Sequence, residues 1–293
     1  AAPAVPAGGG VGAGASPMVP MTPAERVRAN IARATGNTLG RIASDVRTLC
    51  AALHRATEKR QGLRWCVGGR SDGVLLVSNN IGLGWVPNDV KLPAPDGVLS
   101  RGEHVFGHGD IPWSLRRDWV GHPVRAVRGY ARATGSDVVA LACYADAFDP
   151  QFDDVNGVQF DVVSESQLPA VSILTGDDRL QTVDRALAAE IASEGVAALV
   201  NRLPSALGGD DSAPDPAMAA GLWLSVTTSM VVSIDAHLEA WAAFCANQLD
   251  ASVYYLRRAD TVKLARQLYA DYAYWRWNLE QLAQDVDRVS STT

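Results

Sequence analysis

Apolar residues recur across residues 252–289 at steps that alternate between four and three: Leu264, Leu268, Tyr272, Trp275, Leu279, Leu282, Val286 and Val289. That is the a/d spacing of a helix packed lengthwise against another helix. No Gly or Pro interrupts the run, and residues 261–289 alone would span about 43 Å at about 1.5 Å per residue. A partner of matching length stands just upstream. It starts at Asp215-Pro216, an N-cap followed by proline at the first helical position. It continues to about residue 249, with Trp223, Val226, Met230, Ile234, His237, Trp241 and Phe244 at the same steps. Before it, Asp177 and Asp178 cap a helix whose stripe is Leu180, Val183, Leu187, Ile191 and Leu199, ended by Pro204. The glycine- and aspartate-rich stretch 208–214 joins the two. Residues 169–293 therefore read as an all-α bundle of three antiparallel helices, two of them long.

The first half of the chain has a different texture. Residues 1–21 contain only Ala, Pro, Gly, Val, Ser and Met, a composition that cannot form a packed core and reads as the remnant of a linker. Thr22-Pro23-Ala24-Glu25 then opens a helix with a capping box and a proline whose φ is already helical. Gly36-Asn37 is expected to close it. A second helix over 38–59 carries Leu39, Ile42, Val46, Leu49 and Leu53 as its stripe. Two β-type runs, 63–67 and 74–78, flank Gly-Gly-Arg-Ser-Asp-Gly, a hairpin signal. Residues 81–86 are a candidate third strand. Residues 87–121 form a long Gly/Pro-rich connection, Pro123–Ala133 a helix, and 138–144 and 159–163 two more strands. The fold class predicted is α+β: a mixed domain over 22–168 with a small, mainly antiparallel sheet, followed by the helical bundle.

Length and charge support that division. At 293 residues the chain exceeds the size that one core usually serves. The net charge of −6 is uneven: residues 24–132 carry 17 basic and 9 acidic residues, 133–169 carry 7 acidic and no basic ones, and 170–293 carry 9 basic and 16 acidic. A basic segment in an acidic chain favours charge-complementary contacts, between the domains or with a partner. The four cysteines, Cys50, Cys66, Cys143 and Cys245, are far apart and set among apolar residues, which reads as small core hydrophobes in a reducing, cytoplasmic setting. A Cys50–Cys66 bridge is the alternative. Nothing before Glu25 forms the apolar core of a signal peptide.

Candidate chemistry is sparse, and no cofactor motif emerges. Gly68-Gly69-Arg70-Ser71-Asp72-Gly73 is followed by a strand-like run, not by the helix that a phosphate-binding loop needs. Glu103, His104, His108 and Asp110 gather carboxylates and imidazoles in one loop. Gly102, Gly107 and Gly109 argue against the helix that would bring His104 and His108 onto one face, and in an extended strand they would stand about 13 Å apart. An enzyme built on His104, His108 and Asp110 is the rival reading. His237 falls on the apolar seam as a core histidine. No G-x-S-x-G elbow marks a nucleophile. The 18 uncharged residues 217–234 include six Ser, Thr or Gly and run on into Asp235 and Glu239, which suits a buried bundle helix better than a membrane span.

Two surfaces remain as candidates for a partner. Tyr269, Tyr274 and Trp277 lie off the seam of the last helix, so either the α+β domain covers that face or a partner does. Arg125, Arg128 and Arg132 form a stripe at i, i+3 and i+7 on one short helix, suited to an acidic protein partner or to solvent. Nucleic acid is disfavoured by the low pI of about 5.4.

Three stretches carry a resemblance: LRWCVGGRSDGVLLVSNNIGLGWVPNDVKLP (63–93), WVGHPVRAVRGYARATGSDVVALACYADAF (119–148) and the long helices with DYAYWRWNLEQLA (271–283). With them the chain resembles the C-terminal region of the EspK family, mycobacterial type VII (ESX) secretion-associated proteins. The resemblance implies a non-enzymatic, cytoplasmic and virulence-associated role in protein transport. It implies a chaperone or adaptor whose partners are a secreted, EspB-like substrate and the secretion ATPase. It assigns no residue. The Tyr-x-x-x-Asp/Glu and Trp-x-Gly signals of type VII substrates are not found in this sequence.

Overall fold

The computed structural model describes residues 23–58, 60, 62–82, 85–88, 90–93, 102–104, 117–151, 153–163, 177–204 and 212–290. The expected linker 1–21, the Thr22 cap and the expected domain boundary at 168/169 lie outside the described residues. The chain divides into two units, Ala1–Thr38 and Leu39–Thr293. In the first, residues 23–38 are helical. The second holds everything that follows.

Helix α1 spans Pro23–Thr57 as one element where the sequence predicts two. Residues 32–41 are exposed, and a Cβ at Gly36 or Gly40 would meet nothing within 4 Å. The helix carries each glycine at a cost of about 1 kcal/mol. Of the predicted stripe, Ile42, Val46, Leu49 and Leu53 are fully buried, whereas Leu39 is 37% exposed.

That stripe packs on a five-stranded sheet made of β1 (Trp65–Arg70), β2 (Leu75–Asn79), β3 (Gly102–His104), β4 (Val138–Cys143) and β5 (Gln159–Val162). The order is β3-β2-β1-β4-β5. The central pairs β1–β2 and β1–β4 are antiparallel and both edge pairs are parallel. The fold class is α+β as predicted, with an evenly mixed sheet in place of a mainly antiparallel one. The hairpin is where the sequence puts it, but Gly68 and Gly69 belong to the strand, and the turn begins after Arg70 and uses Gly73 at φ 88°.

The two strand glycines have a packing reason. A Cβ on Gly69 would stand 2.3 Å from Ile42 Cγ2 of α1, and one on Gly68 would stand 2.4 Å from Val127 Cγ1 on the opposite face. Val127 belongs to α2 (Pro123–Ala133), which covers that second face. Successive side chains of a strand point to opposite faces, so two adjacent glycines let a helix approach each face closely. The pleat then sorts the core. Trp65, Val67, Leu75 and Val77 join α1, whereas Cys66, Leu76, Leu141 and Cys143 join α2.

The expected third strand, 81–86, does not form among the described residues. Asn79 Nδ2 donates to Trp85 O at 2.8 Å and Asn79 Oδ1 accepts from Ile81 N at 3.0 Å, while Gly82 takes φ 71°. One side chain thus bends the run into a turn and sends Trp85 inward; β3 takes the sheet edge.

The helical part is more broken than its periodicity suggests. The single helix expected after Asp178 is three short ones, α3 (Arg179–Val183), α4 (Arg185–Ile191) and α5 (Val196–Asn201). Asp184 accepts from Leu187 N and restarts the chain, and Gly195 starts it again. Leu180, Ile191 and Leu199 of the predicted stripe are buried all the same. The next expected helix divides into α6 (Pro216–Ser229) and α7 (Ile234–Leu256), because Ser233 caps α7 by accepting from Ala236 N. The last begins at α8 (Val262–Ser290), where Thr261 Oγ1 accepts from Leu264 N. Residues 257–261, expected inside it, are a turn.

Candidate functional site

Trp85, Asn88 and Lys91, helix α3, the later half of α7 and one flank of α8 line two adjoining cavities of about 250 Å³ and about 500 Å³. Both are walled by Asn88, Arg179 and Asp271. Asp178 places the arginine: its carboxylate accepts from Leu180 N and Gln181 N at 3.0 and 2.9 Å, and its own N–H donates to Gln181 Oε1 at 2.7 Å. This capping box fixes the first turn of α3 and sets Arg179 against α8.

There the Arg179 Nη2 donates to Asp271 Oδ1 at 2.5 Å, and the guanidinium carbon lies 4.8 Å from the Tyr274 ring and 4.7 Å from the Trp275 ring. A planar, weakly hydrated guanidinium suits such a stacked, paired position better than an ammonium would. Arg179 is 6% exposed. Its Nε–H nevertheless has no acceptor among the described residues, and neither has the Nε1–H of Trp85, which is 1% exposed and lines the smaller cavity. A donor buried without a partner costs about 1–3 kcal/mol, and here two such donors stand beside one trough.

The trough is also locally positive. Lys91, Lys263 and Arg266 line its larger part and Arg60 its smaller part. Of its carboxylates, Asp178 is occupied in the cap and Asp271 by Arg179. Among the described residues Lys91 and Lys263 have no ion-pair partner. Tyr255, 48% exposed, and Leu268 add an apolar wall to the smaller part. An anion with an adjoining apolar group fits this lining.

The predicted partner surfaces are placed differently. Tyr274 is fully buried and Tyr269 is 6% exposed, so neither presents a surface. Tyr274 Oη accepts from Val86 N at 2.7 Å, and burial pushes its hydroxyl up to about 12 against the pull of Arg179. Burial likewise raises the Tyr269 hydroxyl, against a hydrogen bond with Arg202. Of the two readings of that face, cover by the α+β domain is met, among the described residues, only at Val86, whose N–H Tyr274 accepts; the short helices α3–α5, which belong to the expected bundle itself, supply the rest of the cover. Trp277 is half-buried and stacks on Tyr274 at 6.2 Å. Leu264, on the predicted seam, is instead 41% exposed.

The arginine stripe is engaged within the chain. Arg128 Nη1 donates to Asp154 O and Asn156 O at 2.7 and 3.2 Å, Arg132 pairs with Asp154 at 3.2 Å, and Arg125 donates to Asp118 O at 3.3 Å. The Arg128 and Arg132 contacts tie the 153–158 loop to α2, and that of Arg125 ties the turn before α2 to it.

Of the rival enzyme site, His104 ends β3 opposite Val77, and His108 and Asp110 lie outside the described residues. Among the described residues no group of His, Cys, Asp and Glu could hold a metal, and no helix is long and apolar enough to cross a membrane. His237 is the core histidine the seam predicts. Its Nε2 lies 2.8 Å from Ile81 O in the turn after β2, and its Nδ1 lies 3.1 Å from Val226 O and 3.3 Å from Ser229 Oγ in α6; the neutral ring donates from one nitrogen only, and the other can accept from a hydroxyl but not from a carbonyl. Burial holds its pKa below the usual value, although both carbonyls pull upward. All four cysteines are buried and free, with thiols raised by burial.

Arg179, Asp271, Trp85, Lys91 and Lys263 were not singled out by the sequence. Asp178 signals a helix start, but nothing local links Arg179 to a carboxylate 92 positions on.

Comparison with known proteins places the chain. A family model, EspK C-terminal domain, matches residues 54–286. The ESX-1 secretion-associated protein EspK of Mycobacterium tuberculosis (strain CDC 1551 / Oshkosh) is 26% identical over 272 residues, 89% of this chain and 36% of that protein. An uncharacterised protein of Mycolicibacterium smegmatis (strain MKD8) is 27% identical over 226 residues, 76% of this chain and 29% of its own length. The chain thus spans about a third of the length of these curated relatives. A solved fragment of a conserved hypothetical protein from Mycobacterium tuberculosis is 20% identical and covers 84% of this chain and 97% of its own, with a TM-score of 0.33.

Proposed function

Because the chain belongs to the EspK C-terminal domain family, we propose that it serves type VII secretion as a protein-binding module. In this reading it is a chaperone or adaptor that holds a secreted, EspB-like substrate and links it to the secretion ATPase, without catalysing a reaction. The division of the chain into an α+β part and a helical part, 22–168 and 169–293, belongs to the same proposal. It acts on the cytoplasmic side, where a substrate waits before export. The observation that carries the reading is the open, cation-lined trough beside α8, whose buried donors await an acceptor. The aromatics Tyr269 and Tyr274 are committed to the interior and drop out of the partner surface.

Co-purification tests it. A tagged chain expressed in mycobacterial cells enriches a secreted type VII substrate or the secretion ATPase over a tag-only control, as read by mass spectrometry. Enrichment of neither, in cells that express both, removes the adaptor reading.

A further inference from the structure

We infer that the trough beside α8 is the docking site for an acidic segment of a protein partner, one that carries carboxylates next to an apolar side chain. The inference rests on the adaptor reading and adds the chemistry of what is bound.

Charge is the first support. Residues 170–293 hold 16 acidic residues against 9 basic ones. Three of those nine, Arg179, Lys263 and Arg266, nevertheless line the larger cavity, together with Lys91 from the other half of the chain. A cationic recess in an acidic surround attracts an anion locally while the rest of the surface repels it, which favours one docking register over others. The second support is independent of net charge. Arg179 Nε–H and Trp85 Nε1–H are buried donors without acceptors among the described residues, and both side chains line the trough. Carboxylate oxygens accept such bonds, and a charge-assisted bond to a guanidinium is the stronger kind. Arg179 spends its observed hydrogen bond on Asp271, so an incoming carboxylate either adds to that pair or takes over the Asp271 position. The third support is the half-exposed Tyr255 beside Leu268, which gives a neighbouring apolar side chain a surface to cover. A bare inorganic anion would leave that wall unused.

The probe is a fluorescein-labelled dodecapeptide alternating Glu and Leu, with a counterpart in which every Glu is Gln, followed by anisotropy on the full chain. The Glu peptide binds saturably, and the Gln peptide binds at least about tenfold more weakly. Lys91→Glu/Lys263→Glu, at one half-buried and one exposed position, also weakens the Glu peptide at least about tenfold while leaving the melting temperature unchanged. Arg179→Lys keeps the charge, loses the fork, and weakens it further. Any of three results overturns the proposal: no saturable binding up to about 1 mM, equal binding by the charge-reversed variant, or displacement by inorganic phosphate or a thymidine oligonucleotide as effective as by unlabelled Glu peptide. The two proposals fail separately. If the chain enriches a secretion component and Lys91→Glu/Lys263→Glu enriches it equally, the trough is excluded and the adaptor role stands.

Discussion

The two flanks of α8 are built on different principles. Toward α7 the contact is dry and aromatic: Trp241, Phe244 and Trp275 stack with centroids 5.7–6.2 Å apart, and Trp85 joins Trp241 at 6.0 Å. Away from that ring cluster, toward α3 and along the Phe244–Tyr255 edge of α7, lie a buried ion pair and two cavities, with donors left open among the described residues. One helix therefore carries a face optimised for packing and a face that leaves hydrogen-bonding capacity unused. A folded protein keeps such capacity at a cost in stability, and sites that bind something are where that cost is commonly tolerated.

The largest effect should come from the dry flank. Trp241→Ala, at 1% exposure among four aromatic rings, is expected to lose about 3–5 kcal/mol in urea unfolding. A loss under about 1 kcal/mol would mean that the aromatic cluster is not the centre of the core. On the polar flank, Asp271→Ala strands the Arg179 charge and should cost about 3 kcal/mol, whereas Arg179→Met/Asp271→Leu should restore stability to near the native value. If the double variant stays as unstable as the single one, the pair is structural and the contrast between the flanks weakens. Tyr274→Phe tests the one hydroxyl between them, which also meets Asn278. It removes the acceptor of Val86 N–H and should cost about 1–2 kcal/mol, with calorimetry as the readout.

The smallest effect is a slope. His237 has a folded pKa below its unfolded value of about 6.5. The native state therefore binds fewer protons there, and the stability present above about pH 6.5 is lost as pH falls below it. Between about pH 7.5 and pH 5.5 the native protein should lose more melting temperature than His237→Gln loses; equal slopes would show that the imidazole does not titrate differently in the two states.

What the sequence made legible follows from periodicity and caps. The α1 stripe, the hairpin, the span of α2 and the strands β4 and β5 were readable because burial on one face imposes a period of 3.6 or 2 on neighbouring residues. The existence of long helices was readable for the same reason, and Trp241 and Trp275 are in the core as their spacing requires. Breaks within helical patterns were harder to see. Ser233 and Asp184 are ordinary residues until their side chains accept a backbone N–H, and α1 runs past Gly36 although the sequence reads that glycine as a stop.

Sequence alone determined the α+β class, the heavily aromatic helix pair and the cysteines as core residues, since each depends on residues close together in the chain. Only the tertiary structure decided that Tyr269 and Tyr274 are interior and that Arg179 meets Asp271. It also decided that Lys91 and Lys263 face one trough. Those outcomes depend on which distant segment covers the second flank of α8, and a helix pattern records how wide its buried face is without naming what lies against it.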